Sequence, residues 1–270
     1  MNILRILDKL SNDKFFTGEA TRSQTLSSIA DFGKKAAVAA VPLGLAGLMS
    51  TPAHAETTAA SSAAFKSALT DALQLALTLE YLENEYYRMG LAKGGLIPSS
   101  DRTIFTQISK HENAHVAFLK TTLTALGTTP VAQPNFDFTA GGAFAPMDDY
   151  PTFLILAQAF EDTGVRAYKG QAGNVMSNKD VLTAALQIHS VEARHASEVR
   201  RLRNQKGWIE LANGGAMPSA TNAVYAGEGE TMQAGFNTAA KFGPEAGSAA
   251  YDEILTGDQA KAIASLFIKP

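Results

Sequence analysis

The sequence predicts an all-α protein: an antiparallel four-helix bundle with a long crossover between helices 2 and 3, followed by an irregular C-terminal extension that ends in a short helix. Three observations predict it. Long segments carry apolar residues at helical spacing, with Gly and Pro confined to the gaps between them. Ala and Leu are abundant while aromatic residues make up only 8% of the 270 residues, a composition that favours helices over a β-sandwich. The gaps come in the order short, long, short, which makes two helical hairpins joined by a crossover.

The first helix spans 59–91, where no Pro or Gly occurs until Gly90. Leu69, Leu73, Leu77, Glu80 and Asn84 recur at spacings of four, four, three and four, which is one helical face. Gly94, Gly95 and Pro98 end it. The second helix begins near Ser100 and Asp101, presents Ile104, Ile108, His111 or Glu112, His115 and Leu119 inward, and stops at Gly127 and Pro130. Residues 128–149 hold three Pro, two Gly and a β-like Asn-Phe-Asp-Phe-Thr, and read as the crossover. The third helix starts at Asp149, Tyr150 and Pro151 and runs to about Tyr168 or Gly173. Asp148 and Asp149 favour its positive N-terminal end. The fourth starts at Ser177, in a Ser-Asn-Lys-Asp capping box, and runs through Leu182, Leu186, His189, Glu192, His195 and Val199 to about Asn204. The first, second and fourth helices are about thirty residues each, roughly 40 Å long. Residues 205–255 read as irregular structure packed on the bundle, without a motif that carries chemistry. A second capping box, Thr256 to Gln259, opens a short helix to about Phe267.

The N-terminus reads differently. Residues 36–50 are almost wholly apolar, Lys34 and Lys35 precede them, and Ala53-His54-Ala55 follows. A charged region, a short apolar core and a small-x-small site form an export signal, with cleavage expected after Ala55. Fifteen residues are too few for a comfortable membrane span, so no stable span is expected in the mature chain; an uncleaved inner-membrane anchor is the alternative. The organisation is therefore 1–55 export signal, 56–206 bundle and 207–270 extension, with the product periplasmic or extracellular. The whole chain carries a net charge of −3; residues 1–55 hold six Lys or Arg and four Asp or Glu, leaving −5 for the remainder. No basic block stands out, which argues against a nucleic-acid surface. The sequence has no Cys, which excludes disulfides, thiolate metal sites and Cys nucleophiles. A metal must then be held by His and carboxylates, a donor set suited to Fe, Mn or Zn.

Two segments supply such donors in matching form: His111-Glu112-Asn-Ala-His115 and Glu192-Ala-Arg-His195. Each contains Glu-x-x-His, which puts both side chains on one helical face. Glu80 and Glu161 stand among apolar neighbours on the preceding helices. The spacings tie the four segments together: Glu80 to Glu112 is 32 positions, Glu161 to Glu192 is 31, and both Glu112 to Glu192 and His115 to His195 are 80. The chain reads as two copies of one helical hairpin, each giving one Glu and then one Glu-x-x-His. A pseudo-twofold bundle brings Glu80, Glu112, His115, Glu161, Glu192 and His195 to one level. Four carboxylates neutralise two divalent ions in a low-dielectric core, and two neutral imidazoles complete the set; without metal, most of the four would be protonated. A single Glu-x-x-His is usually a solvated helix face, but two in register, each preceded by a buried Glu, point to a site. Glu83 is the fallback for Glu80, and Glu85 reads as solvated. His111 and His189 read as groups that orient ligands or sit at the core edge. Tyr81, Tyr87 and Tyr168 read as core aromatics, and Arg166 and Arg194 as partners for carboxylates.

At these residues the sequence resembles the exported bacterial ferritin-like domain proteins, a group that includes plant desiccation-related proteins. The resembling strings are Leu-Glu-Tyr-Leu-Glu-Asn-Glu-Tyr-Tyr (79–87), His-Glu-Asn-Ala-His-Val-Ala-Phe-Leu (111–119), Phe-Glu-Asp-Thr-Gly-Val-Arg-Ala-Tyr (160–168) and Val-Glu-Ala-Arg-His-Ala (191–196). The resemblance covers about 60–205 and implies a ferritin-like bundle with a dimetal carboxylate site holding two Fe or two Mn ions. The broader superfamily includes ferroxidases, manganese catalases, rubrerythrins and oxygen-activating oxidases, so the resemblance does not imply which reaction; the first reading of the site is an oxidoreductase acting on Fe(II) with O2 or on peroxide. Without Cys the sequence has no ligands for a rubredoxin-type iron site. Competing readings are a non-enzymatic stress or desiccation-related structural bundle and metal storage in a homo-oligomer. The Gly- and Ala-rich tail argues against a small 24-subunit cage.

Overall fold

A computed structural model describes residues 59–269, with side chains described from Lys66. The expected export signal and its cleavage after Ala55 lie outside the described residues. Four long helices form the body: α1 (Ala59–Ala92), α2 (Arg102–Ala125), α3 (Tyr150–Val175) and α4 (Lys179–Leu202). α1 packs along α2, α3 along α4, and the two hairpins meet principally through α1 and α3. This is a ferritin-like helical bundle. Among the described residues no helix is long and apolar enough to cross a membrane.

Side-chain caps account for three helix starts. Asp149 caps α3 by accepting from the Thr152 amide at 2.9 Å, and Pro151 lies in the first turn. The cap of α4 is Asn178 and not Ser177: its side-chain oxygen accepts from the amides of Asp180 and Val181. The expected box between Thr256 and Gln259 forms at the start of the last helix. α3 is longer than the sequence suggests and continues through Gly170 and Gly173 to Val175. Gly170 does not stop the helix. It lets the tail approach, since a Cβ there would lie 1.9 Å from the Leu255 carbonyl oxygen. On α4 the buried stripe is Val181, Ile188, Glu192, His195 and Val199, while Leu186 is half exposed and faces outward.

Two apolar layers lie within the bundle. One is aromatic, with Tyr86 stacked on Phe153 and packed against Phe138 and Phe160. The other is aliphatic, built on Leu69, Leu73, Leu77, Leu119 and Leu123. The crossover belongs to the first layer. Its Phe136 forms an antiparallel bridge with Ile268, so the β-like segment seen in the sequence pairs with the C-terminus.

Beyond α4 the extension contains a 3-10 turn (Ser219–Thr221), α5 (Asn222–Tyr225), a two-stranded hairpin of β1 (Met232–Gln233) and β2 (Phe236–Asn237), α6 (Ala239–Phe242), α7 (Pro244–Ser248) and α8 (Gly257–Ser265). α8 packs on α1 and α3. Buried polar contacts tie the extension to the outer side of α3. Arg166, only 1% exposed, pairs with Glu228 at 2.7 Å and donates to the carbonyls of Val224, Ala226 and Glu253. Tyr225 donates to Asp162 at 2.8 Å, and Arg200 pairs with the same carboxylate. The tail thus satisfies charges that the bundle would otherwise bury alone.

Candidate metal centre

Each helix of the body sends at least one donor to the same level of the core. α1 contributes Glu80, α2 Glu112 and His115, α3 Glu161, and α4 Glu192 and His195. All four carboxylates are fully buried, and the two imidazoles nearly so. The residues fall into two groups whose ligand atoms lie within 4.8 Å of one another: Glu80, Glu112, His115 and Glu192 in one, and Glu112, Glu161, Glu192 and His195 in the other. Glu112 and Glu192 belong to both.

The shared pair is arranged atom by atom. His115 Nδ1 faces Glu112 Oε2 at 3.1 Å, Glu192 Oε1 at 3.1 Å and Glu80 Oε2 at 3.2 Å. His195 Nδ1 faces Glu112 Oε1 at 2.9 Å, Glu161 Oε2 at 3.2 Å and Glu192 Oε2 at 3.7 Å. Glu112 and Glu192 therefore offer one oxygen to each histidine. Glu80 and Glu161 each offer a single oxygen, and the other accepts a hydroxyl from across the bundle. Tyr168 donates to Glu80 Oε1 and Tyr87 to Glu161 Oε1, both at 2.5 Å.

The orphaned atoms test whether these residues fit a cation. A neutral imidazole has at most one hydrogen on Nδ1, yet each Nδ1 faces three carboxylate oxygens. Glu112 Oε1 and both oxygens of Glu192 are buried without a hydrogen-bond partner. Lone pairs that converge without hydrogens to share are stabilised by positive charge. Two groups of three carboxylate oxygens and one nitrogen form a donor set that could hold metal ions.

Electrostatics agree. Burial pushes Glu112 well above the usual carboxylate range, and the neighbouring Glu192 adds to it. Burial raises Glu161 to about 7 although His195 opposes the shift. Burial alone would lower His115, but the carboxylates of Glu112, Glu192 and Glu80 reverse this and push it up to about 12. His195 is raised in the same way, against burial, by Glu161, Glu112 and Glu192. Without metal, the cluster holds protons where ions would otherwise balance the charge.

The other candidate residues take varied places. His111 is half-buried, and its Nδ1 lies 2.9 Å from His195 Nε2, with Gln107 against its far nitrogen. If Nε2 of His195 carries the hydrogen, Nδ1 keeps its lone pair for the site. His189 meets none of the six. Glu83 is buried like Glu80, but only Glu80 belongs to one of the two four-residue groups. Glu85 pairs with Arg88 away from the core. Arg166 balances Glu228 of the extension and not a carboxylate of the centre; Arg194 is exposed. Tyr81 is a core aromatic, whereas Tyr87 and Tyr168 contact the site directly. Their signal in the sequence is a shared offset: each stands seven positions, about two turns, after Glu80 or Glu161.

Fold and site together define a four-helix bundle with a carboxylate-histidine cluster able to bind metal. Residues 68–205 match the ferritin-like domain family, just over half of the 270 residues, and the chain belongs to that family. No curated protein matches the chain.

Proposed function

We propose that this chain is an exported dimetal carboxylate oxidoreductase that acts on Fe(II) with O2, or on peroxide. Glu80 and His115 would hold one ion, Glu161 and His195 would hold the other, and Glu112 and Glu192 would serve both. The observation that carries this reading is the division of Glu112 and Glu192: one oxygen of each faces His115 and the other faces His195. Fe or Mn, when bound, supplies the electron transfer to a small oxidant. The chain's own residues do the rest. Tyr87 and Tyr168 fix the carboxylates of Glu161 and Glu80 by hydrogen bonds, so each turns one oxygen inward. His111 holds His195 by its outer nitrogen. The burial of all six side chains limits access of bulk water. Export rests on Lys34, Lys35, the apolar run 36–50 and Ala53-His54-Ala55.

The test is reconstitution of metal-free protein with Fe(II) or Mn(II), followed by O2 uptake and peroxide loss, with Glu112→Ala as control. Turnover in the loaded protein and none in the variant supports the reading. Full metal occupancy in Glu112→Ala would sink the ligand assignment. Two bound ions without turnover would turn the function toward storage or structural support.

A further inference from the structure

Glu83 is a fifth carboxylate at the level of the centre, and neither four-donor group includes it. It stands three positions after Glu80 on α1 and is 2% exposed. The corresponding position in the second hairpin, three after Glu161, is Gly164. A Cβ built on Gly164 would lie 3.1 Å from Glu83 Oε1 and 3.6 Å from Glu192 Oε2. The carboxylate of Glu83 thus occupies the space over α3 that a side chain at 164 would enter. Gly164 lies in mid-helix, where glycine is unfavourable, and its φ is not in the left-handed region. Room for Glu83 is a reason for it.

The geometry also gives a side. Of the two Glu192 oxygens, Oε2 is the one near Gly164, and Oε2 is the one that faces His195. Glu83 therefore adjoins the half of the centre built by Glu161 and His195. Burial and the carboxylates of Glu192, Glu161, Glu80 and Glu112 all oppose a charge on it. A carboxylate in that position becomes favourable when positive charge is placed among the group.

We infer that Glu83 is a seventh donor, directed at the ion held by Glu161 and His195, and that Gly164 makes the space for it. This rests on the dimetal reading of the site. It makes the two positions unequal: one has an additional hard oxygen donor and the other does not.

The experiment is a stepwise Mn(II) titration of metal-free full-length protein by calorimetry, with metal content checked by mass spectrometry and folding by circular dichroism. The wild type should bind two ions. Glu83→Gln should weaken one step by about tenfold or more and leave the other within about threefold. Gly164→Ala should reproduce this single-step loss by displacing Glu83, and the double variant should add little. Glu83→Gln decides alone if Gly164→Ala does not fold. Two unchanged steps, or two steps weakened equally, in folded Glu83→Gln would overturn the seventh donor and leave the six-residue site intact. A folded wild type that binds no Mn(II) and no Fe(II) would overturn the dimetal reading and the inference with it.

Discussion

Tyr168 on α3 donates its hydroxyl to Glu80 Oε1 on α1, and Tyr87 on α1 donates to Glu161 Oε1 on α3. Each hairpin orients the single-oxygen carboxylate of the other. Tyr87→Phe should therefore loosen Glu161, and Tyr168→Phe should loosen Glu80. Each is expected to weaken one Mn(II) binding step by about tenfold while the other holds. Calorimetric titration of the two variants checks this; the same step weakened in both would contradict the crossed pairing.

The shared carboxylates carry a different expectation from the unshared ones. Glu112→Ala or Glu192→Ala should remove both ions, because both halves of the centre use each residue. Glu80→Ala or Glu161→Ala should leave about one ion per chain. Metal content after dialysis against free metal separates the two patterns.

Metal binding should be steeply pH-dependent. Burial raises Glu161 to about 7 and Glu112 well above its usual range, so the metal-free cluster holds protons near neutrality. An ion must expel them, and the apparent affinity rises with pH. An increase of at least about tenfold from pH 6 to pH 7.5 is expected. Calorimetry in buffers of different ionisation heat should show proton release on binding. A pH-independent affinity would contradict the protonated metal-free cluster.

The clustering of Glu80, Glu112, His115, Glu161, Glu192 and His195 was legible in the sequence because a repeat of 80 positions relates the two Glu-x-x-His segments. The helices were legible from apolar spacing. What was not legible depends on contacts between distant segments. Tyr87 and Tyr168 lie on helices, where a tyrosine fits a core aromatic equally well. Glu80 and Glu83 share one helical face, and periodicity alone cannot show that both are buried when the facing residue is Gly164. The end of α3, expected near Tyr168 or Gly173, falls at Val175, and the room that Gly170 leaves for the Leu255 carbonyl cannot be read from spacing. Arg166 is met largely by backbone carbonyls of the extension, which leave no side-chain pattern to read.

The extension should matter for stability. Glu228→Ala leaves the guanidinium of Arg166 buried without its carboxylate, a loss of about 3 kcal/mol. That corresponds to a melting temperature lower by about 6–12 °C for a protein of this size. Replacing both partners with apolar residues of similar volume should recover much of it. Differential scanning calorimetry of the single and double variants is the check.

The same pair has a pH signature. Burial raises Glu228 to about 7, with Arg166 opposing and Asp252 adding to the shift. Its folded pKa lies above the unfolded value, so its contribution is complete below about pH 4.5 and is lost as pH rises through about 7. Glu228→Gln should flatten that part of the stability profile. A wild-type and variant difference that does not change with pH would contradict it.

The most direct measurement is the metal content per chain of purified protein isolated from its natural export route, by inductively coupled plasma mass spectrometry. A dimetal centre requires about two Fe or Mn per chain. A folded protein with no metal, and none taken up on reconstitution, would contradict it.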